Sequence, residues 1–156
     1  MEKAYAEYLK CKTNEERFYD FLIRQDIAPA SSNDTMICFL TSVILPIGDL
    51  GGRSGQEIRL GAVFNKNTGE IYNIWDLFYS SKEEAVTQLL QVAQVTDKQL
   101  IVEMSKAIKP EYIVLFPDNL EISFPQGSLP SQEHLYMLGI NYEDLGDVVQ
   151  DWAIPD

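Results

Sequence analysis

Histidine and cysteine are scarce in this 156-residue chain: there is one histidine, His134, and there are two cysteines, Cys11 and Cys38. So few ligands cannot assemble the common zinc sets, which draw four side chains from Cys and His. Two cysteines do not make a disulfide framework either. Cys11 falls in a polar helical stretch and Cys38 in an apolar strand, and nothing in the pattern supports a bridge between them. No stretch reaches the ~18 consecutive apolar residues that a membrane span requires. No internal repeat is visible, and no calcium loop of the D-x-[DN]-x-[DN]-G kind occurs. The sequence implies no cofactor and no metal.

Positive charge is also short in supply, and its absence is local. Beyond Lys109 there is no Lys or Arg, while nine of the 24 carboxylates lie there. Residues 1–109 hold the other 15 acids against 12 bases, a balance of −3, so most of the net −12 belongs to the last third. Such a surface repels a phosphate chain and an anionic membrane, which disfavours nucleic acid as a partner. It attracts a basic protein and speeds the encounter. A solvated face that maintains solubility is the plainer reading of the same charges.

The 17.7 kDa chain is rich in core-forming residues, 46% hydrophobic and 11% aromatic. That content suits one folded domain without a metal or disulfide staple. The first 27 residues read as helix, with Tyr5, Tyr8 and Leu9, then Phe18, Phe21 and Leu22, at 0, +3, +4 spacing. Thr13 and Glu16 form a capping box between two such helices, and Pro29 with Ala30-Ser31-Ser32-Asn33 breaks the pattern. Residues 1–33 are therefore expected to form an N-terminal helical arm, and residues 34–156 one α+β domain.

Within that domain, Met36–Leu45 is an apolar strand with Ile37, Phe39, Val43 and Leu45 on one face. After a glycine-rich loop, a second strand alternates Ile58, Leu60, Ala62 and Phe64 against Glu57, Arg59 and Asn65. Asn65 to Gly69 make a turn, Ile71–Ile74 a short returning strand, and Trp75 to Phe78 an apolar corner. Ser81 with Glu84, and Thr96 with Gln99, are capping boxes for two helices, the second ended by Pro110. Tyr112–Phe116 and Leu120–Phe124 flank a Pro117-Asp118-Asn119 turn, and His134–Ile140 is a last strand. Asn141 caps a short terminal helix with Leu145, Val148 and Val149, and Trp152 follows as a lid on the core or an exposed anchor. This order predicts a largely antiparallel sheet covered on one face by a helical pair.

Chemistry is hard to find in these residues. His134 has no partner marked in sequence for general base work, so it reads as a structural or surface imidazole. Glycoside hydrolysis needs two facing carboxylates, and with 24 acids no particular pair is singled out. The loop Gly51-Gly52-Arg53-Ser54-Gly55 lacks the Lys-Ser/Thr ending of a P-loop, and a strand follows it where a P-loop needs a helix. It also misses the spacing of a nucleophile elbow, since Gly55 directly follows Ser54. A hairpin loop, or a loop that contacts a ligand, fits it better.

Two stretches carry a family resemblance. Ala62 to Phe78 resembles the pattern "strand, then D/N-x-x-T-G-x-x-(I/L)-x-(L/I)-x-D-L-F", with Thr68, Gly69, Asp76, Leu77 and Phe78 at its motif positions. Asp118–Phe124 and Ile140–Leu145 resemble two later pieces of the same family, and the helical pair between them also fits. The family is a domain of unknown function, found in the outer part of RsiV-type anti-sigma factors and beside PdaC-type polysaccharide-deacetylase domains. The resemblance covers roughly residues 36–149, and its motifs shape turns and a packed corner. Family members often have a Gly-x-His segment where this chain has Gly51 to Gly55 without histidine.

The resemblance implies a non-enzymatic recognition module outside the cytoplasm. RsiV-type domains bind lysozyme, a basic protein, so the resemblance and the charge point to the same kind of partner. Candidate contact residues are Arg53, Ser54, Glu133, His134, Glu143, Asp144 and Asp147. Two other expectations compete with this one. A cytoplasmic acidic inhibitor that mimics nucleic acid and blocks a basic groove follows from the −12 charge and from Met1-Glu2-Lys3, which is no export signal if Met1 is the true start. A cell-wall glycan hydrolase follows only from the family's deacetylase neighbours, whose chemistry belongs to the other domain.

Overall fold

A computed structural model describes residues 24–46 and 55–156. The helices expected before residue 24, with Cys11 among them, lie outside the described residues. So does most of the glycine-rich loop, including Arg53 and Ser54.

The chain is α+β, with two three-stranded antiparallel sheets where one larger sheet was expected. Strands β1 (Arg24–Ser32), β2 (Met36–Pro46) and β3 (Gly55–Asn65) form the first sheet in that order. Strands β4 (Ile113–Leu115), β5 (Asn119–Phe124) and β6 (Tyr136–Asn141) form the second. Between the sheets in sequence come helices α1 (Lys82–Val92) and α2 (Lys98–Ala107), and one helical turn, α3 (Tyr142–Leu145), follows β6.

Residues 24–27, expected to close the helical arm, are strand. Local periodicity lost here to tertiary pairing: Arg24 to Pro29 run in register against Ile44 to Phe39 of β2. The register shifts between Pro29 and Ser31, because proline brings no N–H to a ladder and is tolerated at an edge. Ile71–Ile74 is not a strand. Ile71 makes a single bridge to Phe64, and Ile74–Leu77 coils into a 3-10 turn whose N-cap is Asn73.

Both expected helices form. Ser81 and Glu84 make the reciprocal capping box, and Ala85, Val86, Leu89 and Leu90 bury the inner face of α1. For α2 the cap is Asp97 in place of Thr96: its carboxylate accepts from the Gln99 and Leu100 N–H groups at 2.8 and 3.0 Å. The Gln99 side chain turns instead to Glu103. The terminal helix is shorter than expected, because Gly146 takes φ +48° after one turn and a 3-10 turn carries the chain to Val148. Asn141 sits at its N-cap but donates to the Asp144 carboxylate at 3.2 Å and caps no N–H.

One face of the second sheet carries Ile113, Leu115, Leu120, Ile122, Phe124, Leu138 and Ile140, and they form one buried cluster with the helices. The opposite face meets the first sheet through β4. At Gly61 the two approach closely: a Cβ there would stand 1.9 Å from the Ile113 carbonyl oxygen. Ser31 Oγ donates to the Leu115 carbonyl at 2.6 Å, and the Leu115 N–H donates to Cys38 Sγ at 3.4 Å. The fully buried part of β2 is Met36 and Cys38, opposite to the face that carries Ile37, Phe39 and Val43.

Candidate functional site

The Pro117-Asp118 turn, the end of β6 and the start of α3 enclose an open cleft of about 390 Å³ with Ile154. Asp118, Asn141, Tyr142 and Glu143 line it. Tyr142 is the odd member, because its hydroxyl is buried without a hydrogen-bond partner among the described residues. Burial is the main cause that pushes the Tyr142 phenol above its ordinary range, and Cys38 adds to it. Burial also raises the Cys38 thiol, partly offset by hydrogen bonds from the Leu115 and Ala62 main chain.

A second polar group links the sheets. Arg59 Nε donates to Glu121 Oε1 at 2.8 Å and Nη2 to Oε2 at 3.3 Å, a two-toothed pair with both side chains about one-fifth exposed. Ser123 Oγ donates to the same Glu121 oxygen at 2.9 Å, Glu57 lies 3.6 Å from Arg59, and the guanidinium lies over the Phe116 ring. Every charge in this cluster has a partner, so it works as a clamp between layers.

The remaining acids of the last third face water. Glu111, Asp118, Glu133, Glu143, Asp144, Asp147, Asp151 and Asp156 are all exposed, and only Glu121 is drawn inward. The expected contact residues fall into two groups at opposite ends of β6. Glu133 and His134 are exposed in the segment before it, and Glu143, Asp144 and Asp147 are exposed after it. Six strand residues at ~3.3 Å each hold the groups roughly 20 Å apart. Arg53 and Ser54 lie outside the described residues.

The family-motif residues build a corner. Gly69 has φ +74°, and its N–H closes the turn onto the Asn65 carbonyl at 2.8 Å. The Thr68 N–H donates to Asn65 Oδ1 at 3.1 Å, and the Thr68 hydroxyl accepts from the Glu70 N–H. Asp76 accepts from the Asn73 amide, while Leu77 and Phe78 are buried, Phe78 bridging Val149. Trp152 is neither a full lid nor a free anchor: it packs on Tyr72 at 5.4 Å, is 37% exposed, and donates to Gln150. Asn33 ties this tail down by donating to the Trp152 and Ile154 carbonyls.

His134 is exposed and Cys38 fully buried. Among the described residues no cluster of three or more His, Cys, Asp or Glu has the geometry to hold a metal ion, and no helix is long and apolar enough to cross a membrane. Sequence reasoning missed the Arg59–Glu121 clamp, the Tyr142 hydroxyl and the close approach at Gly61. The one available signal was Arg59 two residues from Gly61, on the strand face opposite to Ile58, Leu60, Ala62 and Phe64.

No protein-family model matches the chain, and no curated protein matches it in sequence. Solved structures do. A DUF3298 family protein from Pseudomonas aeruginosa PAO1 superposes with TM-score 0.59 at 15% identity, covering 97% of this chain and 72% of the other. A DUF3298 family member from Bacteroides fragilis NCTC 9343 gives TM-score 0.55 at 12% identity, covering 94% and 62% respectively. At such low identity the likeness concerns the fold: this chain is similar in architecture to DUF3298 proteins, a family of unknown function.

Proposed function

We propose that this chain is a non-enzymatic recognition module of the RsiV-like kind that binds a basic protein, lysozyme or another component of the cell envelope. The observation that carries this reading is the surface of residues 110–156, where eight exposed carboxylates stand without one Lys or Arg. Charges of one sign on a rigid α+β scaffold raise the encounter rate with a cationic protein and exclude anionic ones. The sequence resemblance to RsiV-type domains points to the same class of partner, and the DUF3298-like fold provides a domain of unknown function on which to place it. The experiment is a calorimetric titration with lysozyme. Binding at low salt that weakens as the Debye length shrinks from ~14 Å to ~7 Å supports the reading; absence of heat at low salt contradicts it.

A further inference from the structure

The two sheets have four edges, and three of them carry features that hinder or use up further pairing along part or all of their length. Strand β1 carries Pro29, a register shift and the exposed Arg24–Asp26 ion pair, all features that discourage further pairing. The outer edge of β4 is satisfied by the first sheet, since Cys38 Sγ takes the Leu115 N–H and Ser31 donates to its carbonyl. At β3 the end nearest Asn65 is occupied: the Val63 carbonyl is taken by the Tyr72 N–H, and the Asn65 N–H by the Glu70 carbonyl.

Strand β6 has none of these devices. Its sequence, Tyr-Met-Leu-Gly-Ile-Asn, holds no proline and no charge. Its pairing with β5 is regular over all six residues. Among the described residues, no hydrogen bond from another element reaches the Tyr136–Ile140 main chain. Met137 is 50% exposed, and among the described residues nothing stands within 4 Å of a Cβ placed on Gly139. Half of a strand's N–H and C=O groups point away from its one neighbour, so this edge offers a row of groups to a further strand.

The charges at its ends select the occupant. Exposed Glu133 precedes β6, and exposed Glu143 and Asp144 follow it. A second copy pairing antiparallel through β6 would set Glu133 of one against Glu143 and Asp144 of the other, with −12 on each chain opposing the approach. An extended peptide with basic residues at both ends meets carboxylates at both ends instead.

We propose that β6 is a strand-addition site that takes an extended, basic-flanked segment of a partner protein as a seventh strand, main-chain bonds giving affinity and the terminal acids giving selectivity. This rests on the reading of the chain as a binder of basic proteins and adds how the partner is held. The probe is a synthetic peptide of alternating threonine and valine with two lysines at each end. Two controls accompany it: the same peptide N-methylated at alternate residues on its pairing edge, and one with glutamates in place of the lysines.

Calorimetry should show binding of the lysine peptide. Loss of at least ~10-fold in affinity is expected on N-methylation, on the lysine-to-glutamate exchange, and in the exposed-site variant Met137→Lys. Amide exchange at Tyr136–Ile140 should slow when the peptide binds. Equal binding of the N-methylated peptide overturns the proposal, because charge alone would then suffice. A dimer in sedimentation that Met137→Lys converts to monomer also overturns it, since the occupant is then a second copy. Lysozyme bound but no peptide bound overturns strand addition and leaves the recognition reading standing; binding of neither overturns both.

Discussion

Gly61 shows how one missing atom sets the distance between two layers. The Ile113 carbonyl occupies the place where any other residue would put its Cβ. Because that oxygen belongs to backbone, relief requires β4 to move as a unit. Gly61→Ala should cost roughly 2–3 kcal/mol, the upper range for overpacking, as measured by urea unfolding. Tyr142 stands at the other extreme. Its buried hydroxyl has no partner among the described residues, so Tyr142→Phe should leave stability unchanged or raise it by up to ~1 kcal/mol. Both Cys38 and Tyr142 lose a proton less readily folded than unfolded, chiefly because of burial. Folding is therefore favoured fully below the ordinary thiol value, and that contribution is lost as pH rises through the folded value. Stability should decline upward from about pH 9, and the double variant Cys38→Ala/Tyr142→Phe should flatten the decline relative to its own neutral-pH stability.

At the scale of elements, cap positions carry distinct expectations. Asp97→Ala should cost about 1 kcal/mol because it strips the carboxylate from two N–H groups, whereas Thr96→Ala should be near neutral. Thr96 and Asp97 are both good N-cap residues in sequence, so only the actual start of the helix separates them. The existence of β3 and the Ser81–Glu84 box were legible because each leaves a local signal in the sequence. The strand nature of residues 24–27 was not: all of the first six residues of β1 find their reason in β2, which a short-range pattern cannot see. Division into two sheets was likewise hidden, since it depends on β4 lying against Gly61 and on Arg59 turning inward to Glu121. An alternation rule assigns Arg59 to water, and a carboxylate 62 residues away reverses that assignment.

Across the molecule, the charge asymmetry read from sequence becomes geometry. Folding places eight carboxylates of the last third on the exterior and leaves their charge uncompensated by any base from the same stretch. The Arg59–Glu121 clamp joins the layers without drawing on this exposed set, so recognition and stability rest on different acids. Charge reversal at Glu143, Asp144 and Asp147 should therefore change binding far more than unfolding, within about 0.5 kcal/mol for exposed sites of this kind. The most direct measurement is lysozyme affinity at low salt for the wild-type chain and for the triple variant Glu143→Lys/Asp144→Lys/Asp147→Lys. The account predicts binding by the former and a loss of at least ~10-fold in the latter with the fold intact. Equal affinity in both, or none in either, would contradict it.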